Sequence, residues 1–380
     1  LDHVTDYINN KMPAAVAHHQ GDGCTPMAHA TIRDVAREAA VSVASVSRAL
    51  NGHSNIRPQL RARIESVATR LGYVPHAGAR NLSLARSGAI GVVLPDLHGE
   101  FFSELLRGMD REASARGLHL MLMVMHGEAQ RGIRALTTMR GRVDGLLVMA
   151  PQVSSDELLA HMPAGMPTVL VNCAPHRAPR AELRIDNAAG AAALVDHLAA
   201  QGRRRLVHIA GPASNCDAQE RRRSVQAACA RAGLALRVLP GDFNEASGAA
   251  AVATLLADQA DMDAILAAND MMAIGAMMAL KRAGIVVPEQ VAVAGFDDIP
   301  LARLISPSLT TASIDIAQFG ADAVARLTAV IAGDDAAGVE QRLPIVIARE
   351  STAQRPGDAP AAHHPINHKR PHQRATGERP

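Results

Sequence analysis

The sequence predicts an N-terminal all-α helix-turn-helix domain followed by an α/β core of two lobes, each built on a doubly wound parallel sheet. Two patterns predict it. Residues 31–72 carry three short amphipathic helical stripes, and from Ala89 onward short apolar runs alternate with helical segments over a length too great for one sheet. Charge adds a third observation. Met27 to Arg86 holds nine arginines against three acids, whereas Ser87 to Gln354 holds 24 basic and 29 acidic residues. A compact basic segment ahead of a mildly acidic body suggests a polyanion-binding module joined to something that is not one.

The first helix is read from "TIRDVAREA", where Ile32, Val35, Ala36 and Ala39 fall on one face. Thr31 suits its N-cap and Asp34 its first turn, where a carboxylate returns a hydrogen bond and complements the dipole. A tight turn follows at Ala39 to Val41. In "VSVASVSRALNG", Ser42 caps a second short helix whose Val43, Val46 and Leu50 fall at i, i+3 and i+7, a spacing that leaves Val43 open between packing and an exposed role, and Asn51-Gly52 stops it. Pro58 opens a third helix with an inward stripe of Leu60, Ile64, Val67, Ala68 and Leu71, and Gly72 occupies the stop position. Three short helices with a tight turn and surplus arginine describe a helix-turn-helix unit. Patterning alone leaves a small structural bundle as the alternative.

In the body, "AIGVVLPD", "LHLMLMVM", "GLLVMA", "PTVLVN", "RLVHIAG", "AILAAND" and "VAVAGFDD" read as strands, separated by helical segments such as "FFSELLRGMDREASARG", "NAAGAAALVDHLAAQG" and "MMAIGAMMALKRAG". With 48% apolar residues, 2% aromatic residues and no Trp, the cores must be aliphatic, which suits helix-on-sheet packing. Doubly wound sheets hold ligands at the carboxyl ends of their strands. Those ends carry Asp96, Phe101-Phe102, Asn172, Asn215, Asp217, Phe243, Asn269-Asp270 and Asp297-Asp298, enough to hold a small polar molecule between two lobes. Asp and Asn at such positions equally serve as caps of the following helix.

Several classes are excluded or disfavoured. The four cysteines (Cys24, Cys173, Cys216, Cys229) lack metal-ligand spacing, so reduced thiols are expected, with no metal and no cofactor. No P-loop, GxSxG, HExxH or GxGxxG motif supplies a catalytic site, so an enzyme is not expected. No apolar run reaches membrane-spanning length and the start lacks a signal-peptide pattern, so a cytoplasmic location without membrane association is expected. Met27 directly precedes the first patterned segment, which makes residues 1–26 an expected upstream extension. The Pro-, His- and Arg-rich residues 354–380 are expected to form a disordered tail.

"TIRDVAREAAVSVASVSRALNG", followed by "RLGYVPHAGARNL", resembles the DNA-binding region of the LacI/GalR repressor family. "IDNAAGAAALVDHL", "AAND" and "VAVAGFDDIPLARLISPSLTT" are similar to that family's effector-binding core, itself like periplasmic sugar-binding proteins. The likeness covers nearly all of residues 31–353. It implies a DNA-binding domain at 27–76, a hinge helix or linker at 77–87 and an effector-binding and dimerisation core at 88–353. The core's first lobe would hold about 88–186 plus 316–343, and its second about 187–315 plus 344–353.

The resemblance also implies site residues. The second helix would enter the DNA major groove, with Val43, Ala44 and Arg48 facing bases and Ser42, Ser45 and Ser47 near phosphates or the helix start. Arginine can place a bidentate bond on guanine, while Val43 and Ala44 offer only apolar contacts. Arg33, Arg37, Asn51, Asn55, Arg57, Arg61 and Arg63 are candidates for phosphate contacts. Ala79, Arg80 and Leu82 would lie in the minor groove, where an apolar wedge bends DNA. Phe101, Phe102, Asn172, Asn215, Asp217, Arg221, Phe243, Asn269 and Asp297 would line the effector cleft. A homodimer on a nearly palindromic double-stranded operator, controlled by a sugar or sugar derivative, is the function expected. The competing class is a sugar-binding protein or enzyme that uses the same two-lobed core without DNA.

Three positions depart from the family pattern. Ala40 stands where Gly is common, so a left-handed turn there would be strained. Arg57 replaces a capping Ser or Thr. Gly78 weakens the expected hinge helix by about 1 kcal/mol relative to Ala. Ser224-Val225 also replaces the usual Gly-aromatic pair beneath the cleft.

Overall fold

A computed structural model describes residues 30–51, 55–73, 86–126, 129–176, 180–334 and 337–353. The expected extension at 1–26, the hinge residues Gly78, Ala79, Arg80 and Leu82, and the tail at 354–380 lie outside the described residues. The chain divides into two units at 84/85.

The first unit contains α1 (Ile32–Glu38), α2 (Val43–Leu50) and α3 (Pro58–Arg70). A reciprocal capping box starts α1: the Asp34 amide donates to the Thr31 hydroxyl at 3.4 Å, and the Thr31 amide donates to the Asp34 carboxylate at 2.9 Å. Ala40 lies in the turn at φ 51°, so the left-handed conformation is adopted by a residue with a Cβ, at a cost of roughly 1–2 kcal/mol. Arg57 makes no side-chain cap to α3, while Gly72 takes the left-handed stop at φ 64°.

Val35, Ala36, Ala39, Val46, Ala49, Ile64, Val67 and Ala68 form the buried core of this unit. Fully burying an Ile such as Ile64 contributes roughly 1.5–3 kcal/mol. Val43, which the spacing leaves open between packing and exposure, is 41% exposed. The packing face of α2 is centred on Val46, Ala49 and Leu50, which turns Val43 to its edge, one helical turn before Val46.

The second unit has two six-stranded sheets. The first contains β1 (Ala89–Leu94), β2 (His119–Val124), β3 (Gly145–Val148), β4 (Thr168–Val171), β5 (Ala181–Ile185) and β11 (Gly338–Arg342), in the order β11-β5-β4-β3-β1-β2, all parallel. The second contains β6 (Arg205–Ile209), β7 (Ala235–Leu239), β8 (Ala264–Ala267), β9 (Ala292–Asp297), β10 (Thr310–Ser313) and β12 (Ile345–Ile347), in the order β12-β10-β9-β8-β6-β7. Only β12, against β10, is antiparallel in it. The apolar runs of β3, β4 and β8 are buried throughout, as strands covered on both faces require.

The helices are α4 (Glu100–Ala115), α5 (Ala129–Met139), α6 (Ser155–Ala160), α7 (Asn187–Ala200), α8 (Cys216–Ala232), α9 (Glu245–Ala257), α10 (Asp270–Arg282) and α11 (Ile316–Ala332). The chain passes from the first sheet to the second after β5, returns with α11 to pack on α4, and passes over again between β11 and β12. Each lobe has one very close helix pair. A Cβ on Gly108 of α4 would fall 1.8 Å from the Ala317 carbonyl of α11, and one on Gly275 of α10 would fall 1.9 Å from the Glu245 carbonyl of α9. Only glycine permits these approaches.

The strands β5, β7, β10, β11 and β12 were not among those the apolar runs predicted. In "AELRI" and "GVEQR" charged residues interrupt the run, and "TTAS" and "IVI" are too short to stand out from their surroundings. Ladder pairing with neighbouring strands decides them.

Candidate DNA-reading helix and interlobe cavity

In the first unit, Ser42 caps α2 by accepting from the Ser45 amide at 3.2 Å, and the two hydroxyls lie 2.9 Å apart. Val43, Ala44 and Arg48 are exposed, on the side of α2 away from buried Ala49. Arg48 Nε donates back to the Ala44 carbonyl at 3.3 Å, and Asn51 Nδ2 donates to the Ser47 hydroxyl at 3.3 Å. The helix therefore presents two small side chains and one guanidinium, with the serines committed to its start and flank.

Among the phosphate candidates, Arg33, Asn55, Arg57 and Arg63 are exposed, Asn51 and Arg61 are half-buried, and Arg37 is exposed but pairs with Asp34 at 2.5 Å. Hydrogen bonds from the Thr31 hydroxyl and amide, with Arg37 nearby, hold the Asp34 carboxyl below its usual range. Arg70 pairs with Glu38 at 2.7 Å. The unit's acids are thus partly neutralised locally, and the surplus guanidinium charge remains at the surface.

A cavity of about 310 Å³ opens between the two sheets' carboxyl ends. All nine cleft residues expected from the sequence line it: Phe101, Phe102, Asn172, Asn215, Asp217, Arg221, Phe243, Asn269 and Asp297. The first three follow β1 and β4 of the first sheet, and the other six follow β6, β7, β8 and β9 of the second. Asp96 also lines it, whereas Asp270 and Asp298 do not. Asp270 is buried beneath, where it accepts from Thr311 Oγ1 at 2.6 Å and from the Ile299 amide at 2.9 Å. Asp298 is held by Arg349 at 2.6 Å.

Arg221 is the central cation of the cavity. It is 5% exposed, and its guanidinium lies 3.7 Å over the Phe296 ring. Nη1 donates to the Ala268 carbonyl at 2.5 Å and Nε to Asn187 Oδ1 at 2.7 Å. Nη2 stands 3.3 Å from Asp297 Oδ1, within ion-pair range but outside hydrogen-bond alignment. Its neighbours in the sequence run, Arg222 and Arg223, are exposed. Beneath them Val225 is buried and the Ser224 hydroxyl donates to the Ala188 carbonyl at 2.6 Å, so an aliphatic side chain and a hydrogen bond fill the place of the family's Gly-aromatic pair.

Burial raises both cavity acids. Asp297 is pushed up to about 7 by desolvation, with Asp217 adding repulsion and Arg221 opposing the shift. Asp217 is pushed up to about 6 by desolvation, against the pull of Arg221 and the hydrogen bond from Asn187. Two acids beside one arginine leave unused acceptor capacity at neutral pH.

Three buried polar atoms of the lining lack hydrogen-bond partners: the donor Asn172 Nδ2 and the acceptors Gln152 Oε1 and Asp297 Oδ1, the last of which still faces Arg221 as an ion pair. Gln152 and Asn172 follow β3 and β4 of the first sheet, whereas Asp297 ends β9 of the second, so the atoms belong to different lobes. The other asparagines are more committed. Asn215 Oδ1 caps Ala218 at 3.0 Å, and Asn269 Oδ1 caps Met272 at 3.0 Å while its Nδ2 donates to the Phe243 carbonyl at 2.9 Å. Their capping duty is real and coexists with a place in the cavity wall.

Backbone strain marks the same rim. Asn172, Phe243 and Asp297 have φ of 45°, 72° and 113°. Asn tolerates this region, but Phe and Asp at such angles cost of order 1–3 kcal/mol each and persist only where packing enforces them.

Sequence reasoning missed His98, Gln152, Ser214, Asp242 and Asn244, which also line the cavity. Asp242 and Asn244 follow β7, a strand the apolar pattern did not reveal, and His98 lies in the loop between β1 and α4. Asn187 and Arg349, which hold lining or adjacent groups, left no signal in spacing. Among the described residues no group of His, Cys, Asp and Glu has metal-site geometry. No described helix is long and apolar enough to cross a membrane.

Comparison with known proteins places both regions. Residues 31–76 match the model of bacterial regulatory proteins of the lacI family, and residues 195–352 match a periplasmic binding protein-like domain. The chain is 35% identical over 288 residues to the ribose operon repressor of Escherichia coli strain K12, covering 74% of this chain and 87% of that one. It is 34% identical over 331 residues to the HTH-type transcriptional regulator GalS of Salmonella typhimurium, covering 86% and 97%. Among solved structures, a lac repressor dimer bound to operator and the anti-inducer ONPF superposes with a TM-score of 0.80 at 25% identity, covering 86% of this chain and 99% of that one. A complex of the transcriptional regulator CelR with cellobiose gives 0.62 at 28% identity, covering 85% and 99%.

Proposed function

Since the chain belongs to the lacI family of bacterial regulatory proteins and is a DNA-binding transcriptional repressor, we propose that a carbohydrate in the interlobe cavity controls its grip on a near-palindromic operator. The observation that carries this reading is a set of buried cavity atoms without hydrogen bonds on opposite lobes, a donor on Asn172 and acceptors on Gln152 and Asp297. A polyol hydroxyl both donates and accepts, so vicinal hydroxyls suit a free donor and free acceptors alike, with Arg221 adding charge-assisted bonds. Phe101, Phe102 and Phe243 supply apolar faces for the carbon skeleton, the first two packed edge-to-face with centroids 5.3 Å apart. The ribose and cellobiose named for two similar proteins support a sugar as the chemical class.

On the DNA side, Arg48 reads a guanine, Val43 and Ala44 contact thymine methyl groups, and Ser42, Ser45 and Ser47 lie near the backbone. Arg33, Arg37, Asn51, Asn55, Arg57, Arg61 and Arg63 position the unit on phosphates, and Ala79, Arg80 and Leu82 enter the minor groove. The domain limits 27–76, 77–87 and 88–353 belong to the same reading, as does a homodimer, whose two-fold axis requires an operator of matching symmetry. A ligand that binds two lobe arrangements unequally shifts their balance and thereby the operator affinity.

The test begins with selection of operators from a random duplex library by the full chain. A near-palindrome is the expected product, and selection without two-fold symmetry overturns the dimeric reading. A panel of sugars, sugar acids and nucleosides is then screened by thermal shift, where a cavity ligand raises apparent stability. Asp297→Ala should abolish the response to the best sugar while keeping operator binding. An unchanged response sinks the role of Asp297.

A further inference from the structure

A line of buried and half-buried polar contacts runs from the cavity into the first lobe. Asn187 is the first residue of α7, directly after the crossover from β5, and is 1% exposed. It stands behind the residues that line the cavity. Its carboxamide is fully committed: Oδ1 accepts from Arg221 Nε at 2.7 Å, and Nδ2 donates to Asp217 Oδ1 at 2.8 Å and to Glu220 Oε2 at 3.3 Å. The other Glu220 oxygen accepts from Arg184 Nη2 at 2.8 Å. Arg184 belongs to β5 in the first sheet and also faces Glu182 at 3.7 Å, which in turn lies 3.1 Å from His176.

We propose that Asn187 is a positioning residue that ties Arg221 in the cavity to the Arg184–Glu220 pair between the lobes, so that displacement of Arg221 loosens the lobe contact. The carboxamide has one usable orientation. Flipped, it would aim its oxygen at two carboxylates and its NH2 group at a guanidinium. Arg221 therefore cannot turn toward a ligand while Asn187 stays put, and Asn187 cannot move without releasing Glu220. Low local dielectric strengthens each of these contacts and makes a broken one costly. Arg221 and Asp217 reach the cavity, whereas Asn187, Glu220 and Arg184 carry the effect away from it. The inference extends the effector reading given above, yet the coupling it describes exists in the ligand-free protein.

Two amides report lobe contact independently of any ligand. The Leu301 amide of the second lobe donates to Glu100 Oε2 of the first at 2.9 Å, and the Cys216 amide donates to the Pro151 carbonyl at 3.0 Å. Residue-resolved hydrogen exchange on the full chain tests the proposal. Asn187→Ala should lower protection at Leu301 by about tenfold or more, the scale of a lost hydrogen bond to a charged group, while β6 and β8 amides keep theirs. Arg184→Ala, whose side chain lies outside the cavity, should do the same. The double variant should lose no more than either single one, because both changes break one line of contact.

Unchanged protection at Leu301 in Arg184→Ala, losses that multiply in the double variant, or equal losses in β6 and β8 would each overturn the proposal. If Asn187→Ala fails to fold, Arg184→Ala and Glu220→Ala replace it in the same cycle. No ligand is added, so failure here leaves the sugar reading of the cavity standing, and a panel that finds no sugar leaves this result standing.

Discussion

Arg48 and Arg221 are the same residue type held in opposite ways. Arg48 lies exposed on a two-turn helix, with one bond to its own backbone, and its orientation follows from a serine cap and a small aliphatic core. Arg221 is buried between an aromatic ring, a backbone carbonyl, an amide and a carboxylate. The first unit thus leaves Arg48 at its surface, while the body fixes Arg221 in advance at a cost in strain and desolvation. The two modes predict that a lost arginine damages recognition alone in one region and folding as well in the other.

The largest expected effect tests the body. Arg221→Ala leaves Asp217 and Asp297 buried without their cation and should destabilise the second unit by about 3–5 kcal/mol, read as a lower melting temperature of the full chain. Unchanged melting would mean that this pair is not a structural element. Arg48→Ala should leave melting unchanged and cost about 1–3 kcal/mol of operator discrimination, with residual salt-sensitive binding to any duplex. Equal affinity of the variant for the selected operator would remove Arg48 from the readout.

A smaller effect is expected from pH. In the folded state Asp217 titrates at about 6 and Asp297 at about 7. Both groups titrate at about 3.9 in an unfolded chain. As pH rises from about 4 to about 7, the unfolded chain has already released protons that the native state retains, so stability falls over that window and levels above it. The ligand-free melting temperature should decline from pH 5 to pH 8, and Asp297→Asn should flatten the decline. A slope unaffected by that variant would locate the titration elsewhere.

The smallest effect returns to the reading unit. Ala40→Gly relieves the left-handed turn at φ 51° and should stabilise the three helices by about 1 kcal/mol, net of the added freedom of the unfolded chain. Slower amide exchange at Val46 would show it, and faster exchange would mean that the Ala40 methyl contributes packing that outweighs its strain.

The reading unit was largely legible because its signals are local. Thr31, Ser42 and Gly72 act within one turn of where they stand, and the side taken by Val43 was left open, since a stripe of three residues fixes the centre of a helix face poorly. Strands buried on both faces announced themselves as apolar runs, whereas β5 and β11, with alternating charges, did not. All nine expected cleft residues do line the cavity, because they follow strand ends in a fold that brings such ends together. The contacts of Asn187 and Arg349 span 30 to 51 positions and obey no period that a one-dimensional pattern can carry.

By itself, then, the sequence determined the three short helices, the alternating body, the basic character of the N-terminal segment and which residues line the cavity. These depend on propensity, periodicity and charge over a few residues. Only the tertiary structure decided which polar atoms remain without hydrogen bonds, how far burial lifts Asp217 and Asp297, and that Asn187 joins the cavity to Arg184 of the other lobe. Those properties arise from desolvation and from geometry between distant segments, which exist only once the two sheets have closed on one another.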